Sequence, residues 1–86
     1  MELRCGDTVC WQLTGERLKV AWSEGEMVGL WVRGMNVASM ADCSAAERCT
    51  DAEHRAAVRQ WFDVTPKASV YWPRMERLYG TALSYA

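Results

Sequence analysis

Apolar and polar residues alternate along the first third of the chain, and a period of two is the mark of half-buried strands. In Thr8-Val9-Cys10-Trp11-Gln12-Leu13 the large apolar residues fall on every second position, which predicts a strand with Val9, Trp11 and Leu13 on one face and Gly15 as its end. In Arg17-Leu18-Lys19-Val20-Ala21-Trp22 the same rule turns Leu18, Val20 and Trp22 inward and Arg17 and Lys19 outward. Ser23-Glu24-Gly25-Glu26 follows as a hairpin connection in which Gly25 is free to take a positive φ. The next segment, Met27-Val28-Gly29-Leu30-Trp31-Val32, sets Val28, Leu30 and Val32 against Met27 and Trp31. Both of its faces are apolar, so it reads as a strand that is central or covered twice, ended by Gly34.

Met35-Asn36-Val37-Ala38-Ser39 reads as a fourth strand, at an edge, and Met40-Ala41-Asp42-Cys43 as a loop leading to a helix. From Ser44 the pattern changes. Two capping boxes follow one another, Ser44-Ala45-Ala46-Glu47 and Thr50-Asp51-Ala52-Glu53, and each offers a hydroxyl and a carboxylate to unpaired backbone N–H groups. They predict a short helical turn near 45–49 and a main helix over 51–62. In that helix His54, Ala57, Val58, Trp61 and Phe62 form the stripe that lies on a sheet, while Arg55, Arg59 and Asp63 face water. Pro66 closes it, because the residue before proline avoids the helical region. Lys67-Ala68-Ser69-Val70-Tyr71-Trp72 reads as another strand, and Pro73 as the first residue of a last helix with Met75, Leu78, Tyr79 and Ala82 on one face. Gly80 either weakens that helix, by about 1 kcal/mol relative to alanine, or ends it and leaves 81–86 as a tail.

Eighty-six residues fit one domain, 1–86, since a second would need its own core. Half of the residues are hydrophobic and 24% are charged, which argues against a disordered chain. Ten basic and eleven acidic residues leave a net charge of −1, with neither the basic face of a phosphate-neutralising protein nor the acidic excess of a nucleic-acid mimic. The start, Met-Glu-Leu-Arg-Cys-Gly, lacks a basic region followed by an apolar run, and no apolar stretch approaches the roughly 20 residues of a membrane span. A cytoplasmic protein with reduced thiols is the expectation.

The chemistry-bearing residues are few. Cys5 and Cys10 are spaced C-x4-C, and Cys43 and Cys49 C-x5-C with His54 five residues on, whereas compact zinc sites favour C-x2-C knuckles. No metal or cofactor is therefore expected, and a zinc-stabilised module stays as an alternative. His54, the sole histidine, falls on the apolar stripe, and no orienting carboxylate or oxyanion motif accompanies a Cys49–His54 pair. The expectation is a protein that is not an enzyme. Five Trp and three Tyr against one Phe weight the aromatic area toward rings with a polar handle. Most of the Trp positions supply core bulk. Trp31, and the corner Tyr71-Trp72-Pro73-Arg74 with Arg77, are the candidates for binding, because Trp, Tyr and Arg are enriched at interface hot spots.

Gly6-Asp7-Thr8-Val9, Gly15-Glu16-Arg17-Leu18-Lys19-Val20, Glu24-Gly25-Glu26-Met27-Val28 and Leu30-Trp31-Val32 together resemble the opening of the YodC-like family of short bacterial proteins. The resemblance covers about residues 6–33 and implies a small, curled, SH3-like sheet; residues 44–63 and 67–86 depart from that family's pattern. The fold expected is thus α+β: a curled antiparallel sheet of three to five strands, one main helix packed across it and a short C-terminal helix. The function expected is a protein-binding module, regulator or inhibitor, acting by surface complementarity. A homodimer through sheet edges or the apolar 75–82 face is included. In a bacterial or phage setting that class takes in inhibitors of a host enzyme or defence complex, an anti-CRISPR inhibitor among them. The alternative from another class is an SH3-like nucleic-acid-binding module that stacks bases on Trp or Tyr and contacts phosphate through Arg.

Overall fold

A computed structural model describes residues 2–31 and 35–83, so the expectations for Val32, Gly34 and the last three residues lie outside the described residues. The fold is α+β: a five-stranded antiparallel sheet followed by two helices. Strands β1 (Thr8–Trp11), β2 (Glu16–Glu24), β3 (Met27–Trp31) and β4 (Met35–Ser39) form a meander. A 3-10 turn at Met40–Asp42 then leads into β5 (Cys43–Glu47), which pairs with the far side of β1 and gives the order β4-β3-β2-β1-β5. This connection forces curvature. In a flat sheet β4 and β5 would stand about 19 Å apart, four spacings of about 4.8 Å. A 3-10 turn of three residues rises only about 2 Å per residue, so the two edges must curl toward each other.

The sheet has two apolar faces and each builds its own core. Val9, Leu18, Val20, Val28, Leu30, Ala38 and Cys43 gather inside the curl with Leu3. Ala21 and Trp22 meet Cys5, Val58, Trp61 and Met75 on the other face, beneath the helices. The alternation of β2 alone puts Trp22 with Leu18 and Val20, and the structure corrects this. Val20 pairs with Leu30 and Trp22 with Gly29, so β2 advances two residues while β3 advances one. Such a bulge places Ala21 and Trp22 on the same face. It also reverses the parity of everything after it, so Glu24 leaves β2 on the helix side.

Three further expectations are corrected by backbone pairing. The first strand ends at Trp11, whose carbonyl accepts from Thr14 N–H and Gly15 N–H at 3.2 and 2.7 Å, and Leu13 is left exposed in the turn. Residues 43–47 form β5 and no helical turn, because pairing with Thr8, Cys10 and Trp11 of β1 supplies more backbone hydrogen bonds than a single cap does. Residues 67–71 are turns with no strand: both edges of the sheet lie elsewhere, and Ser69 N–H and Trp72 N–H bond locally to Pro66 and Ser69 carbonyls. Of the two readings of Gly80, the structure shows the one in which the last helix runs through it, to Leu83.

The main helix, α1 (Asp51–Val64), begins where expected. Thr50 Oγ1 accepts from Glu53 N–H at 3.1 Å, and the Glu53 carboxylate accepts from Thr50 N–H at 2.8 Å. Thr50→Ala is expected to cost about 1 kcal/mol, read as a fall of roughly 4–8 °C in the thermal midpoint of so small a domain. Helix α2 (Trp72–Leu83) lays Met75, Leu78, Tyr79 and Ala82 against the second core. That face is occupied within the chain and is not available for the dimer contact expected of it. Among the described residues no helix is long and apolar enough to cross a membrane.

Candidate functional site

Trp31 closes β3 on the helix side of the sheet, and no bulky residue from either helix covers it completely. One flank of its ring packs toward the second core; the ring as a whole is half-buried. It stands between two concavities. The larger, about 550 Å³, runs between the sheet and α1, with Gly6, Lys19, Val20 and Trp31 on one side and Glu53, Ala56, Ala57 and Gln60 on the other. The smaller, about 280 Å³, lies at the C-terminal end of α1 and includes Trp61, Pro66 and Tyr71.

Local sequence explains the larger groove. Glu53, Ala56, Ala57 and Gln60 follow the i, i+3, i+4, i+7 spacing of one helix face, next to the stripe that buries Val58 and Trp61. Two alanines at the middle of that face leave depth where longer side chains would fill it. The rim is polar. Lys19 Nζ donates to the Gly6 carbonyl at 3.5 Å. The Glu53 carboxyl is held below the usual carboxylate range, first by the Thr50 N–H it accepts, then by the Thr50 side chain, with a smaller contribution from the Lys19 charge. An aromatic wall, a floor of small residues and a few polar groups at the rim make a volume in the range of a ligand-sized pocket.

The other candidate residues serve the interior. Tyr71 stacks on Trp22 at 6.0 Å between ring centroids. Trp72 meets Phe62 edge-on at 4.9 Å and Trp61 at 5.7 Å. The Arg74 guanidinium lies 4.3 Å from the Trp22 ring centroid, and its Nε is 3.2 Å from Glu24. Arg77 completes a fork on the same carboxylate, with Nη2 3.0 Å from Oε1. The bulge of β2 is what aims Glu24 at α2. Arg77 first, and Arg74 after it, hold the Glu24 carboxyl below its ordinary range. Of the five residues, Trp31 lines the groove, Tyr71 lines the smaller hollow, and Trp72, Arg74 and Arg77 fasten α2 to the sheet and to α1. The sequence pattern gives no binding role to Lys19, Glu53, Ala56, Ala57 or Gln60: Lys19 reads as an outward strand residue, Glu53 as a capping residue and Ala57 as part of the core stripe. The adjacent alanines, exposed Ala56 and half-buried Ala57, at the border between the core stripe and the solvent side of the helix, are the available signal.

The thiols and the histidine sit elsewhere. All four cysteines are free. Cys49 Sγ donates to the Cys5 carbonyl at 3.6 Å, and His54 Nδ1 lies 2.7 Å from the same oxygen. The two side chains thus converge on one backbone acceptor. Burial first, and the neighbouring Cys49 and Asp7 next, push the Cys5 thiol up to about 12, far from a thiolate at neutral pH. Among the described residues no group of three or more His, Cys, Asp or Glu side chains is placed to hold a metal ion.

Fold and site together define a small α+β domain with an aromatic-walled groove between its sheet and its main helix. No family model, curated protein or solved structure matches the chain.

Proposed function

We propose that this is a non-enzymatic protein-binding module of the cytoplasm, a regulator or inhibitor, which takes a projecting side chain of its partner into the groove beside Trp31. The observation behind this reading is the placement of Trp31. It is an aromatic ring left half-buried on a mixed apolar and polar groove, while among the described residues Trp22, Trp61 and Trp72 are spent on packing. Anchor side chains inserted into such pockets carry most of the energy of protein interfaces. The support for a nucleic-acid-binding module is weaker, since Arg74 and Arg77, which would meet phosphate, are matched by Glu24.

Ala56→Arg is the discriminating variant. Ala56 is exposed on α1 and belongs to neither core, so arginine fills the groove at little cost to stability. In affinity capture from the native host read by quantitative mass spectrometry, a partner retained by the wild type is expected to be lost from Ala56→Arg, with the two proteins melting within about 0.5 kcal/mol of each other. Capture of the same proteins by both would overturn the assignment to this groove. Release of the bound material by nuclease would overturn the protein-binding reading itself.

A further inference from the structure

The two edges of the sheet differ. β5 carries the protections typical of an edge: the charged Glu47, paired with Arg17, a positive φ at Ala45, and a register irregularity against β1. β4, at the opposite edge, has none of these. Met35-Asn36-Val37-Ala38-Ser39 contains no charged residue and no proline, and its register with β3 is unbroken from Met27↔Ser39 to Trp31↔Met35.

The direction of its backbone groups follows from one bond. Met40 N–H donates to the Glu26 carbonyl at 2.7 Å, immediately beyond the Met27↔Ser39 pair. In an antiparallel ladder bonded and non-bonded pairs alternate, so Ala38 is bonded to β3 and the N–H and C=O of Val37 point away from it. Among the described residues no strand lies on that side. The Val37 side chain is 40% exposed and sits on the helix-side face with Met27, which is 48% exposed and lies diagonally across the pair of strands.

We propose that β4 is a self-association edge, on which a second copy of this chain pairs β4 antiparallel about Val37 to make one continuous ten-stranded sheet. Self-pairing fits this edge because a two-fold axis at Val37 sets Val37 opposite its own copy, as a bonded pair with both main-chain bonds formed. It also sets Met35 opposite Ser39 and Asn36 opposite Ala38. No like charges meet anywhere along the strand, and the exposed Val37 side chain gains its own copy as an apolar neighbour. The proposal is independent of the groove, none of whose lining residues belongs to β4.

Sedimentation velocity up to near-millimolar protein tests it. The wild type is expected to show a reversible species of twice the chain's mass. Val37→Lys sets two ammonium groups opposite each other and is expected to sediment as a monomer throughout, with unchanged circular dichroism and melting, while Val37→Thr keeps the dimer. A wild type that stays monomeric at every concentration overturns self-pairing and leaves the edge to a strand of another protein. A dimer that persists in folded Val37→Lys overturns the assignment to β4.

Discussion

Gly29→Ala is expected to destabilise the domain by about 3 kcal/mol, at the upper end of the ordinary cost of overpacking a core. A methyl group on Gly29 would overlap the Trp22 indole nitrogen and the adjacent ring carbon, and even the nearby Cδ1 lies only 2.7 Å from where it would sit. The obstacle cannot swing aside. Trp22 is fully buried, with Tyr71 stacked on it and Arg74 over it, so yielding to the methyl means repacking the second core. In urea the loss corresponds to a midpoint lowered by roughly 1–3 M. A shift below about 0.5 kcal/mol, the size of a neutral surface change, would show that the indole does not lie on Gly29. The double variant Gly29→Ala, Trp22→Phe separates crowding from a general intolerance of alanine in β3. Phenylalanine lacks the pyrrole edge that the methyl would strike, and it removes an indole N–H that is buried with no partner among the described residues. The pair is expected to cost less than the sum of the single changes, the sign of direct coupling.

Gly29 also marks what the sequence made legible and what it did not. Period-two alternation located β1 to β4 because each strand faces an apolar core on at least one side, and the Thr50–Glu53 capping box located α1 because both of its reciprocal bonds form. Alternation cannot report a bulge, and one extra residue at Ala21 was enough to send Trp22 and Glu24 to the other face. The available signal was a glycine inside a strand, which often marks a bulge or a close approach. The Ser44–Glu47 capping box misled for a different reason. A cap satisfies two local donors, whereas a strand beside β1 satisfies a ladder of them, and only the tertiary arrangement shows that the place beside β1 is vacant. The corner from Tyr71 to Arg77 reads in the sequence as a binding candidate, whereas its rings and guanidinium groups answer Trp22, Trp61, Phe62 and Glu24 within the chain. Residues brought together from positions 22, 24, 61 and 72 are invisible to any local pattern. The same holds for the groove, whose wall of Ala56 and Ala57 has meaning only once Trp31 stands opposite it.

Asp7 is expected to be the polar residue the fold tolerates losing least. It is fully buried, and its two carboxylate oxygens accept from Arg4 N–H at 2.9 Å and Cys49 N–H at 2.8 Å. The Arg4 guanidinium in turn donates to the Cys49 carbonyl at 2.9 Å and pairs with Asp51 at 3.0 Å. Both peptide groups of Cys49, the residue before the helix cap, are therefore held by the N-terminal segment. This clasp fixes where α1 starts over the sheet and so sets the width of the groove. Asp7→Ala leaves two N–H groups without their acceptor, at about 1–3 kcal/mol each, so a total near 3–4 kcal/mol is expected. Asp7→Asn should cost less than Asp7→Ala, because the amide oxygen still accepts from one of the two N–H groups, although its NH2 then faces the other as donor against donor. The pH dependence has a definite sign. Burial pushes the Asp7 carboxyl upward, but the hydrogen bonds from Cys49 and Arg4, with the Arg48 charge, outweigh it and leave it below its ordinary value. A depressed carboxyl stabilises the fold above the unfolded value of about 3.9 and loses that contribution as pH falls through the folded value. Urea unfolding of wild type and Asp7→Asn between neutral pH and acid is thus expected to show a stability gap that is constant above about pH 5 and narrows below about pH 4. A gap of the same size at both ends would mean that the ionised carboxylate is not what holds the clasp. A gap near zero at neutral pH would mean that α1 is positioned without it.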